Sequence, residues 1–72
     1  MSAPHIERME NEADELGNRI NKLRAFRDSS PLYPALSDQQ RSLLAAQLQS
    51  MSCYKTILSL RIENDRVTEE AS

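Results

Sequence analysis

Apolar residues recur along the first third of the chain at alternating spacings of three and four: Ile6, Met9, Ala13, Leu16, Ile20 and Leu23. A helix turns about 100° per residue, so this spacing lines them up in one narrow stripe for about three heptads. The pattern predicts a helix from about residue 4 to 27, packed along a single seam. Pro4 suits its first turn, with Ser2 or Ala3 just before it. Glu7, Glu10, Glu12, Asp14 and Glu15 occupy the N-terminal half, and Arg19, Lys22, Arg24 and Arg27 the C-terminal half. That order complements the helix dipole. Arg8–Glu12 and Glu15–Arg19 stand at the spacing of i,i+4 ion pairs. Gly17 interrupts the helix beside the stripe at a cost of roughly 1 kcal/mol against alanine, which suggests the close approach of another backbone.

The segment 28–37 breaks the pattern. Pro31 and Pro34 end the helix and build a turn, over which Leu32, Tyr33 and Leu36 are expected to fold back onto the end of the core. Ser37 and Gln40 have the spacing of a capping box, so a second helix is predicted from about 38 to 64. At ~1.5 Å per residue both helices reach about 36–40 Å, a match that predicts an antiparallel hairpin. The polar, acidic tail 65–72 is expected to fray. The chain therefore reads as one all-α domain over 1–72.

The second helix carries more apolar surface than one neighbour can cover. Leu44, Leu48, Met51, Leu58 and Ile62 form one stripe, with the stem of Lys55 among them. Ala46, Cys53, Ile57 and Leu60 fall on nearly the opposite side, bridged by Leu43, Ser50 and Tyr54. An exposed apolar strip of that length is rare on a soluble monomer. The pattern predicts a homo-oligomer with the second helix at its centre, most simply a C2 four-helix bundle. The alternative is that Ile57 and Leu60 meet the folded-back turn. A further wedge runs from Arg41 and Ala45 to Glu63, and its four middle side chains, Gln49, Ser52, Thr56 and Ser59, are uncharged and hydrogen-bonding, suited either to a ligand cleft or to a plain solvent face.

Composition changes this picture mainly by exclusion. Seventy-two residues suffice for one small domain. With Cys53 as the single cysteine and His5 as the single histidine, an intrachain disulfide or a four-ligand zinc site is excluded. Helix packing and self-association are left to hold the fold. A net charge of −2 supplies no bulk positive field for nucleic acid or an anionic membrane. The first ten residues lack the apolar core of a signal peptide, and no run of ~18 apolar residues is present, so a soluble protein of the cytoplasm is expected.

No arrangement for catalysis stands out. With the hairpin hinged near residue 33, His5 falls opposite Arg61 and Cys53 opposite Ala13, too far apart for a nucleophile–base pair. No cofactor is implied. Two basic clusters do emerge. Arg24, Arg27 and Arg41 gather near the turn with Tyr33, and His5, Arg8, Arg61 and Arg66 near the open end. Arginines beside an aromatic ring are equipment for binding a phosphate and a base. The competing reading is that they neutralise Asp28, Asp38 and Glu63.

The run Pro4-His-Ile-Glu-Arg-Met9, with Glu12, Leu16, Leu23 and Phe26, resembles short proteins encoded by tailed phages and prophages. Leu43-Leu44, Gln47-Leu48, Met51, Tyr54, Leu58 and Arg61-Ile62 are similar to the same pattern, so the resemblance spans about residues 4–62. The chain departs from it at Gly17 and at Ser29-Ser30. The resemblance implies a non-enzymatic accessory protein of the host cytoplasm that antagonises host immunity. One such class sequesters the cyclic nucleotide or cyclic ADP-ribose messengers of CBASS and Thoeris defence in pockets between protomers. His5, Arg8, Tyr54 and Arg61 are the matching positions outside the core. Anti-CRISPR proteins and adaptors, which act by blocking a host defence protein, are the alternatives the resemblance allows.

Overall fold

The computed structural model describes residues 4–71 along the backbone, with side chains from 4 to 68. Within that span lie two helices, α1 over Pro4–Ser29 and α2 over Asp38–Ala71. The positions suggested for the first cap, Ser2 and Ala3, lie outside the described residues, as does Ser72. Ile6 and Met9 of α1 pack with Leu58 and Ile62 of α2, and Leu16 and Ile20 pack with Leu48, which makes the pair an antiparallel hairpin. The molecule is long and thin, with extents of 54 × 16 × 14 Å.

Local chemistry explains where the helices begin and end. The Ser37 backbone N–H donates to Gln40 Oε1 at 3.0 Å, and the Gln40 backbone N–H donates to Ser37 Oγ at 3.1 Å. This reciprocal pair satisfies two amides left open at the start of α2. The turn between the helices is a chain of tight backbone bonds, from Tyr33 N–H to the Ser30 carbonyl, Ala35 to Leu32 and Leu36 to Tyr33. Tyr33 meets Phe26 edge-on, with ring centres 6.1 Å apart. Tyr33 and Leu36 are half-buried, as the fold-back of the turn required, but Leu32 points outward and is 66% exposed. The Phe26–Tyr33 contact packs that end of the hairpin without Leu32.

The stripes read from the sequence meet in one seam. Ile6, Met9, Leu16 and Ile20 are buried from α1, and Leu48, Leu58 and Ile62 from α2. Ala13, Leu23 and Met51 pack partly buried beside them. Lys55 divides the seam into two clusters. A Cβ added to Gly17 would lie 3.1 Å from Lys55 Nζ and 3.5 Å from its Cε. The glycine therefore makes room for the lysine side chain crossing from α2, and not for a second backbone. Long lysine stems cover apolar surface in this way while the ammonium stays wet.

Three expectations need correction. The helices are unequal: α2 has 34 residues against 26 in α1. The segment from 65 onward, expected outside the second helix, continues α2 to Ala71. Two cross-helix contacts tie its start to α1: His5 Nε2 lies 3.2 Å from Asp65 Oδ2, and Arg66 donates to Glu10 at 2.5 Å. The i,i+4 pairs Arg8–Glu12 and Glu15–Arg19 do not close within salt-bridge distance; in the first, Arg8 turns back to the Pro4 carbonyl and Glu12 reaches across to α2.

The seam yields two stability predictions readable from urea midpoints. Leu58 is fully buried, and Leu58→Ala is expected to cost about 2–5 kcal/mol. Gly17→Ala is expected to stabilise by up to about 1 kcal/mol through helix propensity, because the contact it tightens is the flexible end of Lys55.

Candidate functional site

Four surfaces of the hairpin bear on what it could bind. On one flank an open groove of about 600 Å³ runs between the helices, lined by Glu10, Ala13, Asp14, Ser59, Ile62, Glu63, Arg66 and Val67. It is wide, yet three carboxylates face a single arginine that is already bound to Glu10. An anionic ligand is repelled there. Ser59 reaches this groove, whereas the Thr56 hydroxyl turns back to the Ser52 carbonyl at 3.1 Å.

At the turn, the expected cluster of Arg24, Arg27 and Arg41 around Tyr33 is largely spoken for. Arg27 Nε donates to Asp28 Oδ1 at 2.8 Å. This hydrogen bond holds the Asp28 carboxyl below its ordinary range and raises the Arg27 guanidinium above its own. Arg41 is bound to Asp38 and lies 3.5 Å from the Pro34 carbonyl. The cavity shared by Arg27 and Tyr33 holds only about 10 Å³, room for one water at most. Arg24 makes no ion pair among the described residues. The turn is thus neutralised much as the competing reading of these arginines had it, with Asp28 and Asp38 as the partners.

The opposite flank at the open end is different. His5, Arg8 and Glu12 share one face of α1 at helical spacing, and Tyr54, Arg61 and Asp65 share the facing side of α2. Two bonds cross between them: the Tyr54 hydroxyl donates to Glu12 Oε1 at 2.6 Å, and His5 meets Asp65. The bond to Glu12 pushes the Tyr54 pKa upward, with Arg61 acting weakly in the other direction. Arg8 and Arg61 form no ion pair among the described residues. The sequence pattern makes Glu12 a dipole-complementing surface charge and i,i+4 partner of Arg8, and sets Asp65 in the polar tail. Both are the anchors of this flank. The hairpin register contained the signal for Glu12, since it faces Tyr54 across the seam.

Tyr54 also borders the outer face of α2. Leu43, Ile57 and Leu60 are 63%, 53% and 59% exposed there, and Val67 is 60% exposed. Ala46, Ser50, Cys53, Tyr54 and Ile57 line a shallow groove along it. Cys53 is exposed. Nothing in the turn reaches Ile57 or Leu60, which removes the alternative that the turn covers them. No helix among the described residues is long and apolar enough to cross a membrane.

The fold and these surfaces define a helical hairpin with an uncovered apolar strip edged by arginine and tyrosine. The model of the Sequestin family matches residues 3–64, and the chain belongs to that family. The family name is consistent with a sequestering, binding role. No curated protein and no solved structure matches the chain.

The Tyr54–Glu12 bond can be tested by titration. With Tyr33→Phe present, the phenolate absorbance of Tyr54 is expected to rise above pH 10, and Glu12→Gln is expected to move the midpoint down. Because the folded state raises this pKa, the stabilisation it brings is full below pH 10 and is lost as the pH climbs through the folded midpoint.

Proposed function

We propose that the protein sequesters a small phosphorylated messenger, a cyclic nucleotide or cyclic ADP-ribose, in pockets completed by self-association, and so acts as a non-enzymatic phage or prophage antagonist of host nucleotide-signalling defence. The observation that carries this reading is the pairing of Arg8 and Arg61, without ion-pair partners among the described residues, with Tyr54 at the border of the uncovered strip on α2. Guanidinium groups bind phosphate oxygens in a bidentate fork. A tyrosine ring offers a face for a base. The Sequestin name supports a binding role. His5 joins the same flank as a further donor.

The turn residues Arg24, Arg27 and Tyr33 make a poorer anion site, since Arg27 is already held by Asp28. The strip residues Ala46, Cys53, Ile57 and Leu60 belong in this reading to the contact between protomers. A messenger seated beside it gains contacts from both copies, which a single hairpin with an open flank does not provide.

Native mass spectrometry of the protein mixed with a panel of cyclic dinucleotides and cyclic ADP-ribose tests the proposal. An assembly carrying an intact ligand, released unchanged on denaturation, is expected. Arg8→Glu with Arg61→Glu is expected to weaken binding at least about a hundredfold, since each charged contact carries roughly 1.5 kcal/mol or more and 1.4 kcal/mol is tenfold. The assembly should survive this change. An assembly indifferent to every nucleotide, but forming a 1:1 complex with a host defence protein, would overturn the messenger reading in favour of a protein-blocking inhibitor.

A further inference from the structure

The uncovered face of α2 is more regular than an exposed apolar patch. Leu43, Ala46, Ser50, Cys53, Ile57, Leu60, Asn64 and Val67 follow one another at spacings of three and four, a second heptad seam along a helix that already uses one. The two seams lie about 160° apart around the helix. The outer seam also has a definite internal order when it is reversed on itself.

We infer that a second copy of this chain covers the outer seam of α2, running antiparallel, with Leu43 on the partner's Leu60. That register also sets Ala46 on the partner's Ile57 and Ser50 on the partner's Cys53. Gln39 meets the partner's Asn64. Small faces large, amide faces amide, and the apolar pairs match at both ends. Sliding by one heptad in one direction sets Ser50 on Leu60 and Ala46 on Asn64; sliding in the other sets Gln39 on Ile57. Each leaves an amide against an apolar side chain, which costs the hydrogen bonds water gave it. A parallel pairing would stack Asn64 and Ser50 on their own copies but align the helix dipoles unfavourably.

The area is right for a dimer. A compact monomer of 8.2 kDa exposes about 4,500 Å², whereas this hairpin exposes 5504 Å². The surplus is comparable to the ~800 Å² that each partner buries in a standard specific interface. Because the seams are nearly opposite, the helices of the dimer lie in the row α1–α2–α2–α1 and not at the corners of a square. The Tyr54 and Arg61 edge of each copy then runs along the N-terminal half of the partner's α2. This register deepens the reading that a second copy covers the strip, and it does not depend on any ligand.

Cysteine cross-linking tests it. With Cys53→Ser as background, Leu43→Cys and Leu60→Cys are made singly and together, oxidised, and run without reductant. The antiparallel register predicts a covalent dimer from the double variant and from an equal mixture of the two single variants, and none from either single variant alone. Residues 43 and 60 of one copy are about 26 Å apart along α2, so they do not link within a chain. Self-linking of a single variant would overturn the antiparallel order. Sedimentation equilibrium of the native chain is expected to give twice 8.2 kDa, and Ile57→Asp is expected to return it to the monomer mass with its helicity retained. A native monomer would overturn the second copy as the occupant. A native dimer in which no variant links would overturn the register.

Discussion

Two helices packed side by side can shield only one face of each other, and α2 has two apolar faces. That mismatch governs the molecule. One face is closed by Ile6, Met9, Leu16 and Ile20 of α1, and the other is left to solvent with Leu43, Ile57 and Leu60 more than half exposed. The closed seam is thin, interrupted at Gly17 by the side chain of Lys55. A hairpin held by so few buried side chains has little stability in reserve. Covering the second face would both enlarge the core and remove the exposed strip.

Electrostatics separates the two ends of the hairpin. Near the turn, Arg27 and Arg41 are satisfied by Asp28 and Asp38, their neighbours in sequence. At the open end, Glu12 accepts from the Tyr54 hydroxyl and Asp65 meets His5, so both carboxylates are engaged across the helices. The same net charge of −2 is thereby compatible with a local anion site. Local arrangement, and not the overall balance, decides what such a surface binds. It also explains why the groove dominated by Glu10, Asp14 and Glu63 disfavours an anion.

Much of the hairpin was legible in the order of residues because helix formation and pairing are local, periodic effects. The alternation of three and four from Ile6 to Leu23 marked the buried face of α1, the Ser37–Gln40 box marked the start of α2, and the opposed stripes on α2 marked its uncovered face. Each follows from the helical repeat or from a hydrogen bond spanning three residues. Tertiary structure alone decided what depends on contacts across the hairpin. It put Lys55 over Gly17, turned Glu12 from its i,i+4 partner to Tyr54, and carried α2 past 64 to Ala71 by anchoring Asp65 and Arg66 on α1. Those outcomes rest on side-chain reach between residues some forty to sixty positions apart, which no local period encodes.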